Sequence, residues 1–264
     1  MSAAGLGDSA VVGTLYADNV VNTNHFTNII EFAADIKIQS TDEESAIAIG
    51  TGIGGQGRRS VAVGDDAAES GQGQNAVAIG HRAGNSGQTQ NAVAIGNNAG
   101  ETGQKDSGVA IGLFAGKTSQ GLHSVGIGLQ AGETTQGDFA VSVGENAGQQ
   151  NQGDYAVALG HNAGDLNSGV RSIAIGDNAG QDTQGDNAIA IGVGAGQTEQ
   201  LQNSISIGLN AGLSNQFFNA IAIGHDAADT YQGVGAIAIG YEAGKLSGKY
   251  SEDEFMIYLE ESKK

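Results

Sequence analysis

The sequence predicts an all-β fold, a parallel β-solenoid wound in 16-residue coils, and three observations predict it. A ten-residue phrase, clean in Asn91-Ala92-Val93-Ala94-Ile95-Gly96-Asn97-Asn98-Ala99-Gly100, recurs thirteen times in the 264 residues. The glycine closing its Val-Ala-Ile stretch stands at Gly50, Gly64, Gly80, Gly96, Gly112, Gly128, Gly144, Gly160, Gly176, Gly192, Gly208, Gly224 and Gly240. The first step is thus 14 residues and every later step 16, and so strict a period is the mark of a repeat architecture. Lastly, the stretch before each glycine alternates with period two, branched aliphatic then small then branched aliphatic, which is strand patterning.

The rows explain each element in turn. One residue before the closing glycine is always branched and aliphatic, from Ile49 to Ile239, and three residues before it is always Val or Ile, from Ile47 to Ile237. β-branched residues favour strand over helix. Between them lies a small residue, Ala except at Gly126, Ser142 and Ser206. The closing glycine never varies, so the position needs a positive φ or has no room for a Cβ. A second glycine row follows four residues later, broken only by Ala68 and Ala228, with Ala just before it in every coil but the one with Ile53. Eight residues after the closing glycine stands Gln in ten of the eleven 16-residue units, as at Gln72, Gln88, Gln136 and Gln232, with Ser168 the exception. Two readings fit this row: a hydrogen-bonded amide ladder at about 4.8 Å per coil, or a Gln-Gly turn. One coil offers two branched side chains and an Ala for burial, too little to order sixteen residues alone. Stacked coils, and several chains side by side, are therefore expected.

Ser60-Val61-Ala62-Val63-Gly64 and the Asn-Ala-Val-Ala-Ile-Gly copies resemble the head repeat of the YadA-like trimeric autotransporter adhesins. The resemblance implies a left-handed parallel β-roll, three of which associate about a threefold axis, a homotrimer. That family's repeat is typically 14 residues, which is the first step here, and the 16-residue step departs from it. Similar AIGxxAG repeats occur in fibre and structural proteins of phages and large viruses. The resemblance covers residues 46 to 244 and concerns architecture more than function.

The expected organisation is an N-terminal cap and attachment region over 1–45, a thirteen-coil roll over 46–244, and a C-terminal capping helix within 245–264. Val11–Tyr16 and Asp35–Gln39 read as short strands, with Phe26, Ile29, Ile30 and Phe32 sealing the first coil. Ser251-Glu252-Asp253-Glu254 reads as a capping box, with Phe255, Tyr258 and Leu259 on one helix face. The formal charge is −18, which argues against nucleic acid as a partner. There is no Cys, hence no disulfide or thiolate metal site. No apolar run reaches the roughly 20 residues of a membrane helix, so no membrane insertion is expected.

No arrangement points to an enzyme, a cofactor or a metal. Ile-Gly-x-x-Ala-Gly is like one hexapeptide of left-handed-helix acyltransferases, but 16 is not a multiple of six. His81, His161 and His225 follow closing glycines four or five coils apart, too far for one site. Asp65, Asp66, Asp177 and Asp226 fall in turns, where Asx residues belong. One column departs from its pattern. Five residues before the closing glycine the usual residue is Asn, as at Asn75, Asn91, Asn187, Asn203 and Asn219, but four consecutive coils carry His123, Phe139, Tyr155 and Arg171. This column is the candidate receptor patch, for a host-surface glycan or protein; the alternative is that it packs against an adjacent subunit.

The expected function is structural: a trimeric fibre, spike or head module of a virus or phage, on the virion surface and used for attachment. It would join other virion or fibre proteins through 1–45 or 251–264. The lack of a signal and anchor in these residues favours this over a YadA-like cell-surface adhesin head. A further alternative is an ice-binding solenoid, provided the Ala row faces water.

Overall fold

The computed structural model describes residues 46–245 and 257–259. The chain divides into two compact units, Met1–Ile38 and Gln39–Lys264. The first unit, and with it the strands and sealing residues expected over 1–45, lies outside the described residues.

Each closing glycine follows a three-residue strand, from Ile47–Ile49 to Ile237–Ile239. These strands pair in parallel with like rows opposed: Val77 faces Val93, Ala78 faces Ala94 and Ile79 faces Ile95. The 14-residue first step keeps the same register, Ile47 opposite Val61. Thirteen repeat strands stack in this way into one sheet, about twelve turns of solenoid. The opposite side of the coil carries a second parallel sheet. It begins with Ser70–Gln72 and Ser86–Gln88, passes through single bridges at Thr102, and continues in eight strands from Thr118–Gln120 to Thr230–Gln232. Among the described residues there is no helix.

Ile257–Leu259 is a strand parallel to Ile237–Ile239, with Ile257 opposite Ile237. This corrects the capping helix expected over 251–264, for those three residues. A capping box is a local preference, whereas the last coil leaves a row of unpaired backbone groups that an added strand satisfies. The rest of that segment, the capping box included, lies outside the described residues.

The interior of the coil is alanine. Ala62, Ala78, Ala94, Ala110, Ala174, Ala190 and Ala222 of the first sheet are fully buried, as is the row before the second glycine, from Ala67 to Ala227. The branched rows point outward, half-buried in most strands, with Ile49, Ile79, Ile127, Leu159 and Ile239 exposed. The largest aliphatic side chains of the repeat therefore lie outside the single chain's core. The burial of the Ala row also removes the exposed array on which the ice-binding alternative rested.

The second row inside is glutamine, and it forms a ladder. From Gln72 to Gln152 each Nε2 donates to the Oε1 of the next coil at 2.9–3.1 Å. A second run joins Gln184 to Gln232 at 3.0–3.2 Å. The other hydrogen of the amide crosses the coil to the first sheet, as from Gln120 Nε2 to the Val109 carbonyl at 2.8 Å. A side chain rooted in one sheet thus reaches the backbone of the other. A space this narrow accommodates Ala and the amide but not two rows of Val and Ile. Where Ser replaces Ala, its hydroxyl joins the ladder: Ser142 donates to Gln152 Oε1 at 2.7 Å and Ser206 to Gln216 Oε1 at 2.6 Å. Ser168 is too short to continue it, and donates instead to the Gly164 carbonyl. Across that coil Gln184 Oε1 is buried without a hydrogen-bond partner.

Candidate functional site

The corners of the coil are made by residues with left-handed backbone. The position five before the closing glycine has φ between 53° and 61° at Asn75, His123, Phe139, Tyr155, Arg171, Asn187 and Asn203. Asn tolerates this region because its short amide bonds locally, whereas other L-residues give up roughly 1–2 kcal/mol. The stacked backbone enforces it all the same: the amide of Phe139 donates to the Leu122 carbonyl at 2.7 Å and that of Tyr155 to the Asp138 carbonyl at 2.9 Å. Where the residue is Asn, the column is an amide ladder, Asn75 to Asn91 at 3.1 Å and Asn187 to Asn203 at 3.2 Å. Four coils exchange this ladder for rings and a cation.

The structure brings those four residues together. The rings of His123 and Phe139 stack at 5.2 Å, and those of Phe139 and Tyr155 at 5.1 Å and 3° from parallel. The Arg171 guanidinium lies over the Tyr155 ring at 5.7 Å. Phe139 and Tyr155 are 46% and 52% exposed. Their faces, however, are turned on one another, so what they offer outward is ring edges rather than a free platform for a sugar. Beside them runs a row of carboxylates that bind backbone amides of the preceding coil. Asp138 accepts from the Leu122 amide at 2.9 Å and Asp154 from the Asp138 amide at 2.9 Å. The Leu122 amide, and then Lys105 at 3.1 Å, hold the Asp138 carboxyl below its ordinary value.

The other flank of the branched face is the position just after the closing glycine. It holds Leu113, Leu129, Val193, Leu209 and Tyr241, all exposed, among polar residues. The three histidines of this column stand in separate places. His161 Nδ1 meets Asp177 Oδ1 at 2.8 Å. His225 stacks on Tyr241 at 5.2 Å and lies 3.8 Å from Asp226. Asp226 is itself paired with Lys245 at 2.7 Å, which lowers the carboxyl's pKa and raises the lysine's. His81 lies beside Asp65 and Asp66, each bringing a ligand atom within 4.8 Å of the others. Read one at a time these were turn residues; the signal that joins them is the 16-residue step from Asp65 to His81. Three ligand atoms on a turn fall short of the six to eight oxygens of a calcium site, and Asp65 already accepts from the Thr51 hydroxyl.

Two stretches of the chain, residues 72–99 and 168–180, match the family model of the YadA head domain repeat. No curated protein and no solved structure matches the chain. The matched stretches carry the Val-Ala-Ile-Gly or Ile-Ala-Ile-Gly phrase with its following Ala-Gly, and the same rows in the same register run from Gly50 to Gly240. Within these two stretches the coils match the YadA head repeat, and the other coils repeat their rows.

Proposed function

We propose that this chain forms the head of a homotrimeric, surface-exposed attachment protein of the YadA-like kind. In it three left-handed solenoids lie parallel about a threefold axis with their branched faces turned inward. The observation that carries this reading is the outward row of Val and Ile. It runs without a polar interruption from Ile47 to Ile239, roughly 58 Å at about 4.8 Å per coil. A soluble single chain rarely leaves so long an apolar strip in water, and strips of this kind mark contact surfaces. Packing against identical copies covers it, and supplies the burial that an alanine interior does not.

The head-repeat match supports an attachment role at a cell surface; no observation among the described residues speaks for a virus or phage particle. With the branched face turned inward, the second sheet and its corners are left for ligands. The aromatic column flanks the branched face. Two measurements test the attachment role. Antibody to the protein should label intact source cells, and the purified protein should bind saturably to some member of an array of surface glycans and matrix proteins. Label that appears only after lysis, together with a blank array, would overturn it.

A further inference from the structure

Resting on the trimeric reading, we infer which surfaces of neighbouring subunits meet. The column five before the closing glycine packs against the column one after the closing glycine of the next subunit. Arg171 then pairs with the partner's Asp177, and Arg59 with the partner's Asp65.

A threefold ring joins two different flanks of the same subunit, and pure rotation sets each coil beside its own counterpart. The flanks of the branched face are the two columns just described. Coil by coil, from Gly64 to Gly240, the first column reads Arg, Asn, Asn, Ser, His, Phe, Tyr, Arg, Asn, Asn, Asn, Gly. The second reads Asp, His, Asn, Leu, Leu, Glu, His, Asp, Val, Leu, His, Tyr. Both arginines of the first column share their coil with an aspartate of the second, Arg59 with Asp65 and Arg171 with Asp177. The one other acid, Glu145, falls beside Phe139, and no acid stands in the first column to oppose it. Size follows the same rule at the end of the stack, where Gly235 shares a coil with Tyr241.

The Arg171–Asp177 match does nothing within one chain. Arg171 and Asp177 are separated by the extended strand Ile173–Ile175, and six residues of extended chain span up to roughly 20 Å. Inside the subunit Arg171 lies over the Tyr155 ring and Asp177 meets His161, and the two form no ion pair with each other. Across a ring interface they meet at the same height. The ring ladder then serves as a stiff ridge: its faces are spent on each other, and its edges lie along the partner's flank.

The chain lacks cysteine, which makes cross-linking clean. The double variant Arg171→Cys with Asp177→Cys, treated with a short bis-maleimide, should run as a covalent trimer on a denaturing gel, and neither single variant should. No cross-link in a double variant that still has trimeric mass overturns the pairing and leaves the trimer standing. Cross-linking of Arg171→Cys alone also overturns it, because the column would then face its own copy. A parent chain of monomeric mass removes the trimer and the pairing with it. Charge reversal gives a second test. Arg171→Asp and Asp177→Arg should each lower the trimer's melting temperature, and together they should restore it. Additive losses in the double variant contradict the pair.

Discussion

Gly144→Val should unfold its part of the solenoid, at a cost of more than about 4 kcal/mol, because two mechanisms of large destabilisation act at one position. Gly144 has φ +132°, a region closed to a β-branched residue. A Cβ there would also stand 2.4 Å from the Gly160 carbonyl oxygen and 2.8 Å from its carbon. Both are backbone atoms of the next coil, held by the ladder, and cannot turn aside as a side chain would. Relief requires opening the coil-to-coil spacing, which breaks the hydrogen bonds on either side, such as the one from the Gly144 amide to Ile127 at 2.9 Å. Thermal melting followed by circular dichroism reads the effect. Gln150, exposed on the second sheet, is the contrast, and Gln150→Ala should melt like the parent. An unaltered melting temperature for Gly144→Val contradicts the account of the glycine row.

Gln120→Leu is expected to cost about 3–5 kcal/mol although it conserves volume and replaces a polar group by an apolar one. The side chain is fully buried. Its loss strands the Gln136 Oε1 that it served at 3.1 Å, and removes a buried donor to the Val109 carbonyl at 2.8 Å and the acceptor that Gln104 Nε2 reached at 2.9 Å. Each stranded buried group costs roughly 1–3 kcal/mol, and the ladder is a network in which every member depends on its neighbours. The reverse change makes the same argument with opposite sign. Ser168→Gln gives Gln184 Oε1 its donor and Gln152 Nε2 its acceptor, and should raise stability by about 1–2 kcal/mol. Melting of the two variants beside the parent decides both, and a Leu variant as stable as the parent removes the ladder from the list of stabilising elements.

The strand rows and the glycine corners can be read from the sequence because each is a local requirement repeated thirteen times. Val77-Ala78-Ile79 has strand patterning whatever surrounds it, and Gly144 stays Gly because its own backbone demands it. The inward and outward faces cannot be read in the same way. Period two says that Val77 and Ile79 oppose Ala78, but not which side is enclosed; that depends on the width of the coil, which a Gln120 amide spanning to Val109 makes small. The Gln row left ladder and turn both open, since both need Gln at that place, and the spacing of coils decides for the ladder. His123, Phe139, Tyr155 and Arg171 were legible as a column by register alone. That their faces close on one another was not, because it depends on a shared left-handed backbone. The terminal segment misled because the capping box at Ser251 is a local signal, and the open edge of the strand Ile237–Ile239 is a tertiary one.

The proposed trimer follows from a core of alanine and glutamine that leaves the branched aliphatics on the outside, to be covered by identical copies. Sedimentation equilibrium of the full chain at micromolar concentration tests it most directly. A single species of three times 26.4 kDa, about 79 kDa, that does not dissociate before it unfolds is the expected result. A folded, stable species of 26.4 kDa would contradict it.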